Sequence, residues 1–166
     1  EKNQVVGEVN QGWTIAKYLL THEREMIGSF GLTDAGSDTL GQIAAKTVGV
    51  EQGRMNNPLL RADVLKWEID AAAFALTAER VTDEVKSGQG VGATSAMLKY
   101  YGTELNKRRF ELMLKIHGSD AMFWDGADSN GGWVPRSWLR TKGNSIEGGT
   151  SEVQLNIIAK NILGLG

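Results

Sequence analysis

Leu60, Val64, Trp67, Ala71, Phe74, Ala78, Val81 and Val85 recur at spacings that alternate between four and three. A stripe with that period predicts a helix of about seven turns with one face against a core. The rest of the 166-residue chain is mostly helical in pattern as well. Three further amphipathic segments and no convincing strand alternation accompany the long stripe. The expected class is all-α, an antiparallel up-down-up-down four-helix bundle.

The first helix is expected from about Gln11 to Phe30, and Leu40, Ile43, Ala44 and Val48 suggest a brief helical stretch before the long one. The segment KSGQGVG (86–92) ends the long helix. The next starts near Thr94, whose hydroxyl is suited to capping, and closes at Gly118. Its apolar face is Leu98, Tyr101, Leu105, Leu112 and Ile116; Arg108 interrupts it and reads as a snorkelling side chain rather than a buried ion pair. The last helix, from about Thr150 to Leu163, should bury Val153, Ile157, Ile158 and Ile162. Pro58 and Pro135 fall in stretches that read as loops, and residues 119–146 read as irregular. Trp124, Trp133 and Trp138 in that segment either lid the bundle's own open end or pack against a surface outside the chain.

Charge excludes some functions. The net charge of −2 gives no basic excess for nucleic acid, and no acidic tail is present. The absence of cysteine removes disulfides and thiolate metal sites, and His22 and His117 have no ligand spacing, so no metal is expected. No apolar run is long enough to span a bilayer. Glu1, Lys2 and Asn3 are neither a start methionine nor an export signal. The chain reads as a soluble, cytoplasmic piece of something longer.

One charged residue sits where the pattern asks for an apolar one. Trp13, Ala16, Leu20, Glu23, Ile27 and Phe30 share a face of the first helix. A carboxylate held out of water becomes a stronger base, although a structural ion pair or a helix-edge position would fit the same spacing. Near the other end, Gly148, Gly149, Thr150 and Ser151 precede the last helix. Free amides and the positive end of the helix dipole meet there, which suits either a ligand or an ordinary turn and cap.

Three stretches carry a resemblance: VVGEVNQGWTIAKYLLTHER (5–24), MLKYYGTELNKRRFELMLKIHG (97–118) and SIEGGTSEVQLNIIAKNILGL (145–165). In order and spacing they resemble the C-terminal helical domain of the acyl-CoA dehydrogenase family. Residues 1–8 then correspond to the tail of a preceding β-domain, and residues 9–166 to the bundle. The resemblance implies a FAD-dependent enzyme that oxidises an acyl-CoA thioester to its trans-2-enoyl form, passes electrons to an electron-transfer flavoprotein, and assembles as a dimer or tetramer through its bundles. The 166-residue piece alone is expected to be inactive and to bind FAD poorly.

In that family the α-proton base stands either in the loop before the last helix or in the first helix, ahead of an arginine. Here the loop position is Gly148, which carries no base, while Glu23 and Arg24 fill the other, as in isovaleryl-CoA and long-chain members. Glu147, one residue earlier than the loop position, is the rival. The resemblance further implies substrate contacts for Arg24 and Lys160, and cofactor contacts for Gly148, Gly149, Thr150 and Glu152.

The chain departs from the family pattern in three places. QGRMNNPLLR (52–61) lacks the usual Arg-x-x-Phe-Gly, Leu155 replaces an arginine, and ADSNGGWVPRSWLR (127–140) replaces a glycine-rich segment. An acyl-CoA oxidase, a non-catalytic partner subunit of the same fold, and a helical protein-interaction module stay open as alternatives.

Overall fold

Asn57 starts the longest helix by accepting a hydrogen bond from the Leu60 amide at 3.0 Å. Pro58 follows at the first helical position, where its missing N–H removes no bond. In the computed structural model, which describes residues 2–28, 38–90, 92–126 and 129–166, that helix is one of six. They are α1 (Gly12–Gly28), α2 (Leu40–Val48), α3 (Pro58–Lys86), α4 (Thr94–His117), α5 (Trp133–Lys142) and α6 (Ser151–Asn161). For residues 2, 21, 22 and 24–28 only the backbone is described. Phe30, the end expected for the first helix, lies outside the described residues, as do the side chains of Ile27 and Arg24.

The all-α class holds, but the helices are arranged around a hub. Helix α4 touches α1, α2, α3, α5 and α6. That position explains its weak amphipathicity, since a helix with neighbours on most sides needs no single apolar stripe. It buries Leu98, Leu105, Leu112 and Ile116 as expected, and also Phe110, Met113, Thr103 and Lys99. Tyr101, expected inside, is 37% exposed.

The long stripe packs as its period requires. Leu60, Val64, Trp67, Ala71, Phe74 and Val81 of α3 are buried against α4, and the Trp67 indole N–H donates to the Leu105 carbonyl at 2.8 Å. Fully burying an aliphatic or aromatic side chain contributes about 1.5–3 kcal/mol, so this seam dominates cohesion. The stripe frays at its end, where Ala78 is half-buried and Val85 is exposed. Arg108 reaches outward with its side chain 42% exposed, as expected of it, and makes a partly exposed ion pair across the helices with Asp70 at 2.8 Å. Helix α2 is begun by a capping box between Thr39 and Gln42, and the Glu68 carboxylate of α3 accepts the Gly41 amide at 2.7 Å.

Several boundaries differ from expectation for local reasons. Thr94 is the first helical residue of α4, not its cap, and Ala93 precedes it with no side-chain cap bond. A two-residue antiparallel hairpin, β1 (Val50–Glu51) and β2 (Arg54–Met55), turns at Gln52 and Gly53, which both have positive φ as a type I′ turn needs. Residues 133–142 of the expected irregular segment form α5. Its Pro135 lies in the first turn, where proline is tolerated.

The tryptophans of this segment pack against the chain's own side chains. Trp133 meets Phe110 edge-on at 5.7 Å, and Trp138 donates to Glu111 at 2.8 Å. The Arg136 guanidinium stacks over Trp124 at 4.0 Å. Helix α6 differs most from expectation. Ile157 and Ile158 are half-buried, Val153 and Ile162 are exposed, and the residue fully enclosed is Gln154.

Candidate functional site

The loop between α5 and α6 turns through Gly148 at φ 66° and Gly149 at φ 104°, left-handed conformations that disfavour a side chain. At Gly149 a Cβ would also lie 2.5 Å from Gln154 Nε2. This turn comes against α1, where the Gly148 amide donates to Glu23 Oε1 at 3.1 Å. The structure thus brings together two positions 125 residues apart in sequence: the carboxylate of the first helix and the loop glycine. Glu23 is half-buried, as are Ala16 and Leu20 on the same face, while Trp13 is 71% exposed.

Two buried polar side chains hold the turn from below. Lys99 of α4, with no exposed surface, donates from Nζ to the Asn144 carbonyl at 3.0 Å and the Gly149 carbonyl at 2.8 Å. Gln154 of α6, equally enclosed, donates from Nε2 to the Gly148 carbonyl at 2.9 Å. Both residues escaped the sequence reading. The available signal was a second face of α4, with Ser95, Lys99, Gly102 and Thr103 spaced for close approach of another backbone. Apolar periodicity does not register such a face.

Glu147 points to the other side of the loop. It pairs with Arg140 at 2.8 Å and accepts from Asn144 Nδ2. The Arg140 hydrogen bond holds its carboxyl below the ordinary 4.5, against an opposing push from partial burial, with Asn144 adding to the lowering. A carboxylate stabilised in its charged form is a poor base. Between α4 and α5 lies a cleft of about 360 Å³ bordered by Asn106, Arg136, Arg140 and Glu147. Much of its polar lining is bonded internally, through Asn106 to Asn144 at 3.0 Å and Arg140 to Glu147.

Thr150 caps α6, its hydroxyl accepting from the Val153 amide at 3.3 Å. Glu152 stands exposed in the first turn, where its own backbone amide, then the Thr150 hydroxyl, hold its carboxyl below the ordinary value. Lys160 is in the last turn of α6, exposed and about 12 Å along the helix from Glu152, so it is not part of the Glu23 cluster. Arg24 follows Glu23 on α1, but its side chain lies outside the described residues. Among the described residues no set of histidine and carboxylate side chains could hold a metal ion, and no helix is long and apolar enough to cross a membrane.

The acyl-CoA dehydrogenase C-terminal domain matches residues 10–163. The chain is 27% identical to acyl-CoA dehydrogenase FadE34 of Mycobacterium tuberculosis over 97% of its own length and 21% of that protein. It is 25% identical to acyl-CoA dehydrogenase IpdE1 of Mycolicibacterium smegmatis, over 99% of this chain and 40% of the relative. The chain therefore spans well under half of each of these curated relatives. In fold it is similar to a steroid ACAD variant, Tcur3481-Tcur3483, with a TM-score of 0.74 and 22% identity over 98% of this chain and 42% of that one. It is also similar to an acyl-CoA dehydrogenase from Geobacillus kaustophilus, with a TM-score of 0.72 and 18% identity over 95% of this chain and 40% of that one. This chain belongs to the acyl-CoA dehydrogenase family, of which it carries the C-terminal domain.

Proposed function

We propose that the chain is the C-terminal domain of a FAD-dependent acyl-CoA dehydrogenase that converts an acyl-CoA thioester to the trans-2-enoyl thioester, with Glu23 removing the α-proton. The observation that carries this reading is the 3.1 Å bond between Glu23 and the Gly148 amide. The first-helix carboxylate reaches the loop from which other members of the family present their base. The α-proton is only weakly acidic, so its base has to be held in place and shielded from water. The Gly148 bond orients the carboxylate through one oxygen, and the packing of α1 on α4 gives it a half-buried setting. Arg24, next on the helix, is assigned to the thioester or CoA edge, and Lys160 to the CoA adenosine.

The start of α6 fits a flavin. Gly148 and Gly149 form the turn that leads into α6, and Thr150 and Glu152 frame its first amides. Ser151 Oγ and Gln154 Oε1 are buried there with no hydrogen-bond partner among the described residues, two polar atoms that a bound group could satisfy. FAD bound there would accept the β-hydrogen as hydride. The same reading assigns electron-transfer flavoprotein as the acceptor and a cytoplasmic setting. A second copy is assigned to the outer face of α3, where Leu65, Ile69 and Leu76 are 51%, 69% and 67% exposed. Residues 1–8 are assigned to the tail of a preceding β-domain; Val6, Val9 and Trp13, each more than 70% exposed, are suited to being covered by it.

The test is flavin bleaching by a panel of straight-chain, branched and steroid-side-chain acyl-CoAs, using the flavin-loaded full-length enzyme that contains this domain. Wild type should bleach with at least one class, and Glu23→Gln should slow that reaction by about a hundred- to ten-thousandfold. Undiminished bleaching in Glu23→Gln removes Glu23 from the chemistry. Reoxidation by oxygen instead of electron-transfer flavoprotein would make the protein an oxidase.

A further inference from the structure

We infer that Lys99 is a positioning residue, acting with Gln154 to hold the Gly148 turn against Glu23. This rests on the reading of Glu23 as the base.

A lysine without exposed surface is uncommon, because an ammonium taken from water needs its donors satisfied. Lys99 meets that need by gripping the Asn144 and Gly149 carbonyls, one on each side of Gly148. The Gly149 carbonyl is also within reach of Gln154 Nε2 at 3.4 Å, and the Gly148 carbonyl bonds the same nitrogen at 2.9 Å. The two side chains come from different helices, α4 and α6, so they tie the turn to both. Glu23 lies on α1, across the turn from them. Their effect on it runs through the Gly148 peptide, whose carbonyl accepts from Gln154 while the Gly148 amide donates to Glu23.

The arrangement also accounts for the second glycine. A side chain at position 149 would collide with the Gln154 amide nitrogen at 2.5 Å, so the close approach of α6 needs glycine there. Cohesion of the bundle alone would be served as well by an apolar side chain at position 99. The two bonds from this buried cation to the Asn144 and Gly149 carbonyls fix the turn's geometry. Because proton transfer is sensitive to displacements near 1 Å, loosening the turn should reduce turnover by about a hundredfold with little effect on substrate binding.

The experiment begins with hydrogen exchange in the wild-type flavin-loaded full-length enzyme. Amides 144–150 should exchange as slowly as those of α4; exchange at the rate of an open loop would overturn the inference. Lys99→Met, which keeps the chain's length and removes the donors, should then speed exchange across 144–150 and leave the α3 and α4 amides unchanged. It should lower kcat about a hundredfold with KM within about threefold. A folded Lys99→Met with turnover within about twofold of wild type overturns the inference. If Lys99→Met fails to fold, Gln154→Met is measured in the same way and carries the same criteria. Glu23→Gln, run in parallel, separates the two claims. If it keeps full turnover, the base assignment fails. If it is inactive while folded Lys99→Met is not, the positioning assignment fails alone.

Discussion

Where α4 meets α3, the buried contact is made of Leu60, Val64, Trp67 and Phe74 against Leu98, Leu105 and Met113, with one indole hydrogen bond among them and the Arg108–Asp70 and Lys115–Asp63 ion pairs at its partly exposed edges. Where the same helix meets the end of the α5–α6 loop, the contact is Lys99 gripping two carbonyls, with Gln154 of α6 gripping the adjacent peptide groups. The interior of the first seam is apolar and non-directional, and its strength scales with buried area. The second is a directional polar network, which adds less net stability per group but fixes atomic positions, because each buried donor must meet its acceptor. A single helix thus supplies cohesion on one face and geometry on another. The residue assigned to chemistry, Glu23, contacts the second.

The largest difference between the seams should appear on removing their central side chains. Trp67→Ala should lose about 3–5 kcal/mol of stability in denaturant unfolding, since it leaves a cavity and removes the indole hydrogen bond to the Leu105 carbonyl. A loss below about 1 kcal/mol would show that the α3–α4 seam is not the main source of cohesion. Gly149→Ala should cost about 1–3 kcal/mol from its positive φ and the clash with Gln154. Turnover should fall by more than the change in unfolding midpoint explains, and a purely thermal effect would make the turn another part of the core.

The smallest effect is expected at the loop's outer edge. Arg140 and Glu147 are 64% and 29% exposed, and pairs of this kind contribute about 0–1 kcal/mol. Glu147 is held below its ordinary 4.5, so the contribution is complete above that pH and is lost as pH falls through the lowered value. Arg140→Ala should therefore lower stability slightly at pH 7 and flatten the acid side of a stability–pH curve. An unchanged acid side would mean that the pair adds nothing to the loop.

The two seams also differ in how far the sequence discloses them. Helix α3 is legible because most of its packing is against α4, and the eight-residue pattern records that demand. Helix α4 is only half legible: Leu98, Leu105, Leu112 and Ile116 form the stripe, while Lys99 and Thr103, turned to other neighbours, look like solvent residues. Helix α5 is masked by Gly131, Gly132 and Pro135, which suggest a loop although they serve to begin a helix. In α6 the apolar residues suggest the buried face, but the turn requires an amide there, and Gln154 occupies it. The meeting of Glu23 with Gly148 follows from packing, which no local pattern contains. That Glu23 is unusual for its face was nevertheless readable from spacing.

The claim on which the rest depends is that Glu23 removes the substrate's α-proton. It is tested most directly by exchange of that hydrogen with deuterated water in the flavin-loaded full-length enzyme, with folding checked by the thermal midpoint. Wild type should exchange this hydrogen, and Glu23→Gln should exchange it about a hundredfold or more slowly at an unchanged midpoint. Exchange at the wild-type rate in a folded Glu23→Gln protein would contradict it.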